Sequence, residues 1–273
     1  MGRRPIRVLA SAEGADIVVQ DSPWRPDKTS AEYKAHVHSL GGLAPKRAGQ
    51  RIVLLLHGWS VRSEELTKNY RPLLQKIHDL APMALGEMRT ISWPARGQYW
   101  EVLPTTELIA KALADRLSGD APFHNARELV LVAHSMGCRV ALELVRALNE
   151  RGFKPEIRLF LVAAAAAVSA VQGAGRLASA ARSAVHSSVY YSHVDEVLGP
   201  VFQVGQALAG EGGWRVEAIG LRGRPSQGLW SRRVSSLSRH IPYFRSTRLI
   251  KDLIEDHKGA REWRSKTWKP VNL

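Results

Sequence analysis

The stretch Leu129–Val145, LVLVAHSMGCRVALELV, decides the fold. It begins as a continuous apolar run, which is typical of a strand buried on both faces of a sheet. It ends with apolar residues at helical spacing, which predict an amphipathic helix. Between the two lies AHSMG, which differs from the G-x-S-x-G pattern of a strand–turn–helix elbow only in Ala133. The stretch therefore predicts a sharp turn that exposes Ser135 at the end of a strand.

The elbow pattern has small residues two positions before and two after the serine for a steric reason. The turn is so tight that a larger side chain at either place would meet the neighbouring strand or helix. Ala133 and Gly137 occupy these places, and alanine is a small departure from glycine. A helix that begins after Ser135 also starts with unpaired backbone N–H groups. The N–H of Met136 is therefore a predicted donor to an oxyanion at the serine.

The rest of the chain alternates between strand-like and helix-like segments, which is typical of a mainly parallel sheet with helices on both faces. We expect one α/β domain over residues 1–273, with a β hairpin and polar segment in 1–50 and a basic tail in 260–273. Strands are predicted at 51–58, 88–94, 128–134, 156–166, 187–193 and 214–223, and helices at 63–80, 105–119, 136–152, 165–184 and 244–259.

The charge of the chain is strongly positive. Lysine and arginine outnumber aspartate and glutamate by 39 to 25, which gives a formal net charge of +14. This balance favours an anionic partner such as nucleic acid, a phospholipid surface or an acidic substrate. The alternative is a basic surface that only keeps the protein in solution. The basic residues are spread along the chain, and the sequence has no specific nucleic-acid motif.

Signals for export, for a membrane span and for a cofactor are missing from the sequence. The single cysteine, Cys138, cannot pair within the chain, which fits a reducing compartment. Charges and Pro5 interrupt the N-terminal apolar run, and no uncharged apolar run reaches about 18 residues. Ligand spacing for a metal and a glycine-rich phosphate loop are both lacking. We therefore expect a cytoplasmic protein without a metal or other cofactor.

Two later stretches supply candidates for the rest of a hydrolytic site. An elbow serine is followed along the chain by an acid and then by a histidine. Asp195 follows a predicted strand in VYYSHVDEVLG, and His240 follows the last predicted strand in SLSRHIPYF. The carboxyl ends of parallel strands meet at one edge of a sheet. This order predicts Ser135 as the nucleophile, His240 as its base and Asp195 as the group that orients the imidazole.

Other residues compete for these roles. A single histidine is more often a surface or core residue than a base. His240 is favoured because it lies in a loop between the last predicted strand and the last predicted helix. The alternatives are Glu196 for the acid and His186, His193 and His257 for the base.

The stretches LLLHGWS and WPARGQYW follow two further strands. The backbone N–H of Trp59 is the predicted second oxyanion donor, and His57 is structural because it lies in the wrong chain order for a base. Trp93, Tyr99 and Trp100 either form an apolar wall for an acyl group or anchor their loop on the core. The sequence has no long insertion after the strand near residue 164, which favours a small or absent lid.

Together these stretches resemble the α/β-hydrolase superfamily, and most of all a group of bacterial α/β hydrolases of largely uncharacterised function that are distantly lipase-like. VLLLHGWS, ISWPARGQYW, LVLVAHSMGCRVALELV, YYSHVDEVLG and RHIPYF carry the resemblance, in family order between about Val53 and Phe244. The departures are Ala133 in the elbow and Ala95, where the group often has serine after the Trp-Pro pair.

The resemblance implies a serine hydrolase that cleaves a small-molecule ester or lipid through an acyl-enzyme. It implies a Ser135, Asp195 and His240 triad, with Trp59 and Met136 as oxyanion donors. The alternative is a non-catalytic protein on the same fold that binds an anionic membrane or nucleic acid. The sequence predicts neither the acyl group nor the oligomeric state.

Overall fold

Seven strands form one sheet in the computed structural model of the chain. Their order is β1-β3-β2-β4-β5-β6-β7. All neighbouring strands run parallel, except that the outermost strand, β1, pairs antiparallel with β3. The strands are β1 His36–Ser39, β2 Arg51–Leu56, β3 Glu87–Ser92, β4 Glu128–His134, β5 Glu156–Val162, β6 His186–Tyr191 and β7 Trp230–Arg233. The structure describes residues 36–39, 51–61, 73, 76, 87–93, 95–119, 126–153, 155–212, 214–223, 230–233, 240 and 242–262.

The strands are connected by helices of very unequal length. The two longest in the first part of the chain, α2 and α3, pack against each other and carry the apolar residues at the predicted spacing. A π-helical turn at Val197–Val201 and a 3-10 turn at Pro242–Arg245 complete the set. The helices are α1 Tyr99–Val102, α2 Thr105–Gly119, α3 Met136–Glu150, α4 Val168–Val171, α5 Ala178–Ser183, α6 Phe202–Leu208, α7 Ile219–Arg222 and α8 Thr247–Glu262.

The register of the central strands brings their carboxyl ends level with one another. Leu56 of β2 lies opposite both Ile91 of β3 and Ala133 of β4. Ala133 in turn lies opposite Leu161 of β5. The loops that leave these four strands therefore start from the same edge of the sheet. The predicted α/β-hydrolase fold with a mainly parallel sheet is confirmed.

The segment after β5 is not a lid. Helix α5 packs on α3, so this segment lies against the helical layer and not over the carboxyl ends of the strands. The predicted single helix over residues 165–184 is wrong, because the chain breaks it into α4 and α5. Gly173 has a φ of +49°, and a Cβ on Gly175 would lie 2.2 Å from the carbonyl oxygen of Ser169. The chain turns back there too tightly for a continuous helix.

The predicted strand over residues 214–223 is also wrong. Ala218 makes only an isolated antiparallel bridge with Ala167, and α7 follows directly. The N–H of Gly220 donates to the carbonyl of Ala164, where a Cβ would lie 2.2 Å from the Ala164 nitrogen. This apolar segment packs on the loop after β5 instead of extending the sheet. The seventh strand is β7, which still precedes His240.

Several predictions fall on residues outside the described ranges. These are the N-terminal hairpin, most of the helix at 63–80, of which Leu73 and Lys76 are helical, and the tail beyond Glu262. Strand β1 lies inside the predicted polar segment. The single-domain organisation stays a prediction. Within the described ranges, no helix has both the length and the apolar character to cross a bilayer.

A buried ion cluster joins the amino ends of three strands at the opposite edge of the sheet. Glu128 of β4 accepts hydrogen bonds from Arg51 of β2 and Arg158 of β5. The Glu128 and Arg158 side chains are only 6% and 4% exposed. Burial raises the pKa of Glu128, but the two guanidinium groups outweigh it and hold the pKa below its ordinary value. The carboxylate therefore stays ionised and accepts a hydrogen bond from each guanidinium group.

Replacing Glu128 by glutamine should lower the free energy of unfolding by about 3 kcal/mol. The Arg158 guanidinium, which is 4% exposed, would then lose the carboxylate that accepts its hydrogen bond. Urea unfolding followed by circular dichroism measures the change. Asp115→Asn is the matched control, because Asp115 is 68% exposed beside Arg151 and should cost less than about 1 kcal/mol. Equal losses for the two variants would contradict the assignment.

Candidate active site

The turn at Ser135 is sharp and strained. Ser135 has φ 54° and ψ −125°, a region that residues with a side chain rarely adopt. Its N–H donates to the carbonyl of Val162, and its carbonyl accepts the N–H groups of Cys138 and Ala165 at 3.0 Å each. These bonds to β5, α3 and the loop after β5 hold the strained conformation. The side chain is 6% exposed.

The loop after β2 lies directly against this turn. A Cβ on Gly58 would lie 2.8 Å from the Cβ of Ser135. A Cβ on Gly137 would lie 2.4 Å from the carbonyl oxygen of His57 and 2.7 Å from that of Leu56. Real Cβ atoms do not approach so closely, so both positions need glycine for steric reasons. The two quoted motifs, LLLHGWS and AHSMG, are thus in contact through their glycines.

The loop after β3 holds the loop after β2 in place. The Trp93 indole N–H donates to the carbonyl of His57 at 2.9 Å, and the two rings stack with centroids 5.2 Å apart. The N–H of Ser60 donates to the carbonyl of Ala95 at 2.8 Å. Trp93 is 1% exposed. Of the two alternatives for Trp93, the structure therefore has the core anchor, and the apolar-wall role is withdrawn for this residue.

The two predicted oxyanion donors, Trp59 and Met136, belong to the two segments that meet at Ser135. Met136 is the first residue of α3, so its N–H has no partner inside the helix. Trp59 follows Gly58, and its indole N–H donates to the carbonyl of Gly97 at 3.0 Å. Among the described residues neither backbone N–H makes a hydrogen bond. Both remain available to a ligand, and their role stays a prediction.

Asp195 and His240 are in direct contact. The Nδ1 of His240 lies 2.8 Å from Oδ2 and 3.0 Å from Oδ1 of Asp195. The carboxylate also accepts the N–H groups of Val197 and Leu198, at 3.1 and 3.0 Å, and the hydroxyl of Tyr243 at 3.3 Å. The Nε2 of His240 is buried and has no hydrogen-bond partner within the described ranges. Nδ1 therefore carries the proton of the neutral ring, and Nε2 is a free acceptor.

The electrostatics keep the Asp195 carboxylate ionised. Burial raises its pKa, but the hydrogen bond and charge of His240 and the N–H groups of Leu198 and Val197 outweigh burial, so the pKa lies below its ordinary value. Burial first, and the Asp195 charge second, raise the pKa of Tyr243. The phenol therefore stays protonated and donates to the carboxylate. An ionised Asp195 can stabilise a proton taken up by His240.

His134 connects the turn to the histidine loop. Its Nε2–H donates to the carbonyl of His240 at 3.0 Å, and the two rings lie with centroids 4.9 Å apart. Burial and then the neighbouring His240 charge lower the pKa of His134 to about 3. The ring is therefore neutral at neutral pH. Because His134 directly precedes Ser135, this contact places His240 beside the serine turn.

The competing candidates lie elsewhere or are engaged. Nδ1 of His57 donates to the carbonyl of Gly58 at 2.9 Å, and its Nε2 accepts the N–H of Trp93 at 3.2 Å, so its predicted structural role fits this geometry. His193 is exposed, as is Glu196. The remaining histidines, His186 at the start of β6 and His257 in α8, pack beside Phe160 of β5. The structure brings Asp195 and His240 together and none of their rivals.

An apolar cavity of about 260 Å³ opens beside the loop after β2. Tyr99 and Trp100, two of the predicted substrate-binding residues, line it, whereas Trp93 does not. The π turn that follows Asp195 forms the opposite wall. The cavity therefore lies between segments that carry Trp59 and Asp195. Its lining residues are Trp59, Gln98, Tyr99, Trp100, Pro200, Val201, Val204 and Gly205.

Three residues of the site were missed in the sequence. His134 and Tyr243 lie inside quoted motifs, yet no spacing rule links either of them to His240 or Asp195. Gly205 packs against Tyr99, whose ring carbon would lie 2.1 Å from a Cβ at that position.

The described residues contain no group of three metal-ligating side chains. Cys138 is buried in α3, where burial raises the pKa of its thiol well above the ordinary value.

Gly137→Ala should destabilise the protein by about 1–3 kcal/mol, because the added methyl group meets the carbonyl oxygen of His57. In an ordinary helix the same change stabilises by about 1 kcal/mol, so the sign itself is informative. Urea unfolding measures it. Gly199→Ala is the matched control, since nothing lies within 4 Å of a Cβ there. A Gly137→Ala variant as stable as the wild type would disprove the close contact.

Solved structures are similar to this chain at low sequence identity. A structure of an uncharacterised protein from Bacillus cereus is 13% identical, with a TM-score of 0.50, and the alignment covers 82% of this chain and 63% of that one. A predicted CIB-like hydrolase from Thermoplasma acidophilum is 10% identical, with a TM-score of 0.47 and coverages of 91% and 99%. A Xanthomonas campestris protein described as an a/b serine hydrolase without lid is 14% identical, with a TM-score of 0.45 and coverages of 99% and 100%. At these identities the likeness concerns the fold alone.

One protein family matches the chain over residues 32–211, well over half of its length. The match includes Ser135 and Asp195 and ends before His240. No curated protein matches the chain. The family is described as an alpha/beta hydrolase of unknown function, DUF900, and the chain belongs to it.

Proposed function

We propose that this protein is a serine hydrolase that cleaves carboxylic esters through Ser135, His240 and Asp195. The observation that carries the proposal is the Asp195–His240 pair. Asp195 fixes the Nδ1 side of the imidazole at 2.8 Å, which leaves a buried and unbonded Nε2. This ring lies against His134, the residue before a strained serine. A histidine held in this tautomer is suited to accept the proton of a serine hydroxyl.

In the first half of the reaction Ser135 is acylated. Its Oγ forms a bond to the ester carbonyl carbon while its proton moves to Nε2 of His240. The carbonyl oxygen becomes an oxyanion, which the N–H groups of Trp59 and Met136 stabilise. The carbon–oxygen bond to the alcohol then breaks, and His240 gives its proton to the leaving oxygen. The products are the free alcohol and an ester on Ser135.

In the second half water regenerates the serine. Nε2 of His240 takes a proton from water, and the hydroxide attacks the acyl carbon. The bond to Oγ breaks, the proton returns to Ser135, and the carboxylic acid leaves. Asp195 stabilises the imidazolium in both halves. His134 is neutral, with a pKa of about 3, so it adds no positive charge beside that imidazolium.

We assign the apolar cavity to the acyl group. Its walls come from Trp59, which carries one oxyanion donor, and from the turn after the catalytic acid. A volume of about 260 Å³ is small for a ligand site. This size favours a short or medium-length acyl chain. Tyr99 and Trp100 would contact this chain.

Ser135→Ala should lower kcat/KM for an activated short-chain ester by at least about a thousand-fold, because no other hydroxyl occupies the turn. A fluorophosphonate probe should label the wild type and not this variant. Ser169→Ala, at an exposed serine of α4, is the matched control and should react like the wild type. Equal labelling of Ser135→Ala and wild type would rule out Ser135 as the nucleophile. No labelling of either, together with salt-sensitive binding to an anionic polymer, would favour the non-catalytic alternative.

Val204→Phe should shift the preference of the enzyme towards esters with shorter acyl chains. The larger side chain fills the cavity next to Trp100, so kcat/KM for an octanoyl ester should fall about ten-fold relative to an acetyl ester. A series of nitrophenyl esters from acetyl to octanoyl measures the ratio. Val185→Phe is the matched control, because Val185 is equally exposed and lies at the opposite edge of the sheet. An unchanged chain-length profile in Val204→Phe would place the acyl group elsewhere.

A further inference from the structure

Helix α6 and the turn before it present an apolar stripe to the outside. Val201, Val204 and Leu208 are 40%, 40% and 52% exposed, and their spacing of three and four residues places them on one helical face. Residues 197–210 contain no charged side chain. An exposed helix normally has polar residues on this face. The stripe therefore needs an explanation other than the packing of the core.

Two more exposed apolar side chains lie on segments that border the cavity. Trp100 of α1 is 37% exposed and Val194, next to Asp195, is 58% exposed. Helices α1 and α6 are in contact, and Trp100 shares the cavity with Val201 and Val204. We call these five residues, Trp100, Val194, Val201, Val204 and Leu208, the apolar rim. Contiguous exposed apolar surface rimmed by polar residues is typical of an interaction site.

Exposed cations lie at the same edge of the sheet. Arg96 lies in the loop after β3, two residues before the cavity residue Gln98. Arg245 and Arg248 follow Tyr243, which contacts Asp195. With the residues that the structure describes, these three arginines form no ion pair. Two exposed carboxylates share the edge, Glu101 on α1 and Glu196 beside Asp195.

The combination of exposed aliphatic side chains and exposed guanidinium groups favours one kind of partner. A lipid surface offers hydrocarbon to the rim and anionic headgroups to the arginines. Nucleic acid offers phosphates, but its bases stack on aromatic rings and would leave valine and leucine without a function. A second copy of the chain carries the same net charge of +14, which opposes self-association.

We propose that the apolar rim, with Arg96, Arg245 and Arg248, docks the protein on an anionic phospholipid surface. In this orientation the cavity mouth opens towards the lipid. Docking does not depend on the chemistry at Ser135. The consequence for substrate does rest on the proposed function: the ester would be a lipid supplied from that surface and not a freely dissolved molecule.

Co-sedimentation of Ser135→Ala protein with vesicles tests docking without turnover. The protein should bind vesicles of phosphatidylcholine mixed with phosphatidylglycerol, and binding should weaken as salt increases. In this background Leu208→Gln should lower the partition coefficient about five-fold, since half of a leucine side chain leaves the lipid. Val185→Gln is the matched control. Val185 is 39% exposed directly before β6, at the edge away from the rim, and its change should leave binding unaltered.

A second pair of variants tests the contribution of the arginine charges to vesicle binding. Arg96→Gln should lower the partition coefficient on anionic vesicles about five-fold at low salt and leave the weak binding to pure phosphatidylcholine unchanged. Arg127→Gln, at an exposed arginine directly before β4 on the opposite edge, should have no effect. Thermal melting verifies that all four variants are folded, which is expected because all four side chains are exposed.

Two outcomes would overturn the docking proposal. One is the absence of salt-sensitive binding to anionic vesicles, including the case in which the protein binds RNA instead. The other is an equal loss of vesicle binding in Leu208→Gln and Val185→Gln, since the lipid-binding surface would then not be the apolar rim. Vesicle binding together with no fluorophosphonate labelling of the wild type would support docking while the proposed hydrolase function fails. The two proposals can therefore fail separately.

Discussion

The site depends on the contact between the backbone after β2 and the serine turn. Gly58 lies against Ser135, and Gly137 lies against the carbonyl oxygens of Leu56 and His57. This approach is possible only because β2 and β4 are neighbours whose carboxyl ends lie level. It brings the residue after Gly58 and the first residue of α3 to the same turn. The proposed oxyanion donors would therefore depend on strand register and two glycines, without any dedicated side chain.

Much of this arrangement could be predicted from the sequence, because its causes are local. The apolar run of β4 must be buried on both faces, and the change to helical spacing after Ser135 fixes the position of the turn. The order of serine, acid and histidine pointed to Asp195 and His240, which the structure places 2.8 Å apart. The segments at 165–184 and 214–223 were predicted wrongly because composition does not report backbone contacts. Gly175 meets the backbone of Ser169 in a tight local turn, and Gly220 meets that of Ala164, far away along the chain.

The features that no pattern could indicate are contacts of a side chain with a distant segment of the chain. The sequence is compatible with Trp93 as a cavity wall or as a core residue. Only the position of the His57 carbonyl distinguishes these two roles. His134 is a neutral donor to the His240 backbone because it is buried beside that ring. Tyr243 donates to Asp195 because the 3-10 turn brings its hydroxyl there. Each role depends on two segments at once, so neither segment reveals it alone.

Helix α6 shows the same dependence, with a consequence for the outer surface. Its inner face carries Phe202, Gly205 and Gln206, and position 205 has to be glycine because the Tyr99 ring lies where a side chain would be. Phe202 is fully buried and provides the apolar burial of this face. Its aliphatic residues, Val204 and Leu208, lie outside instead, where they contribute little to the stability of the isolated chain. A chain with polar residues at these two positions would fold equally well and would expose less apolar surface. The apolar residues there are therefore better explained by a surface that the helix meets than by the core that it covers.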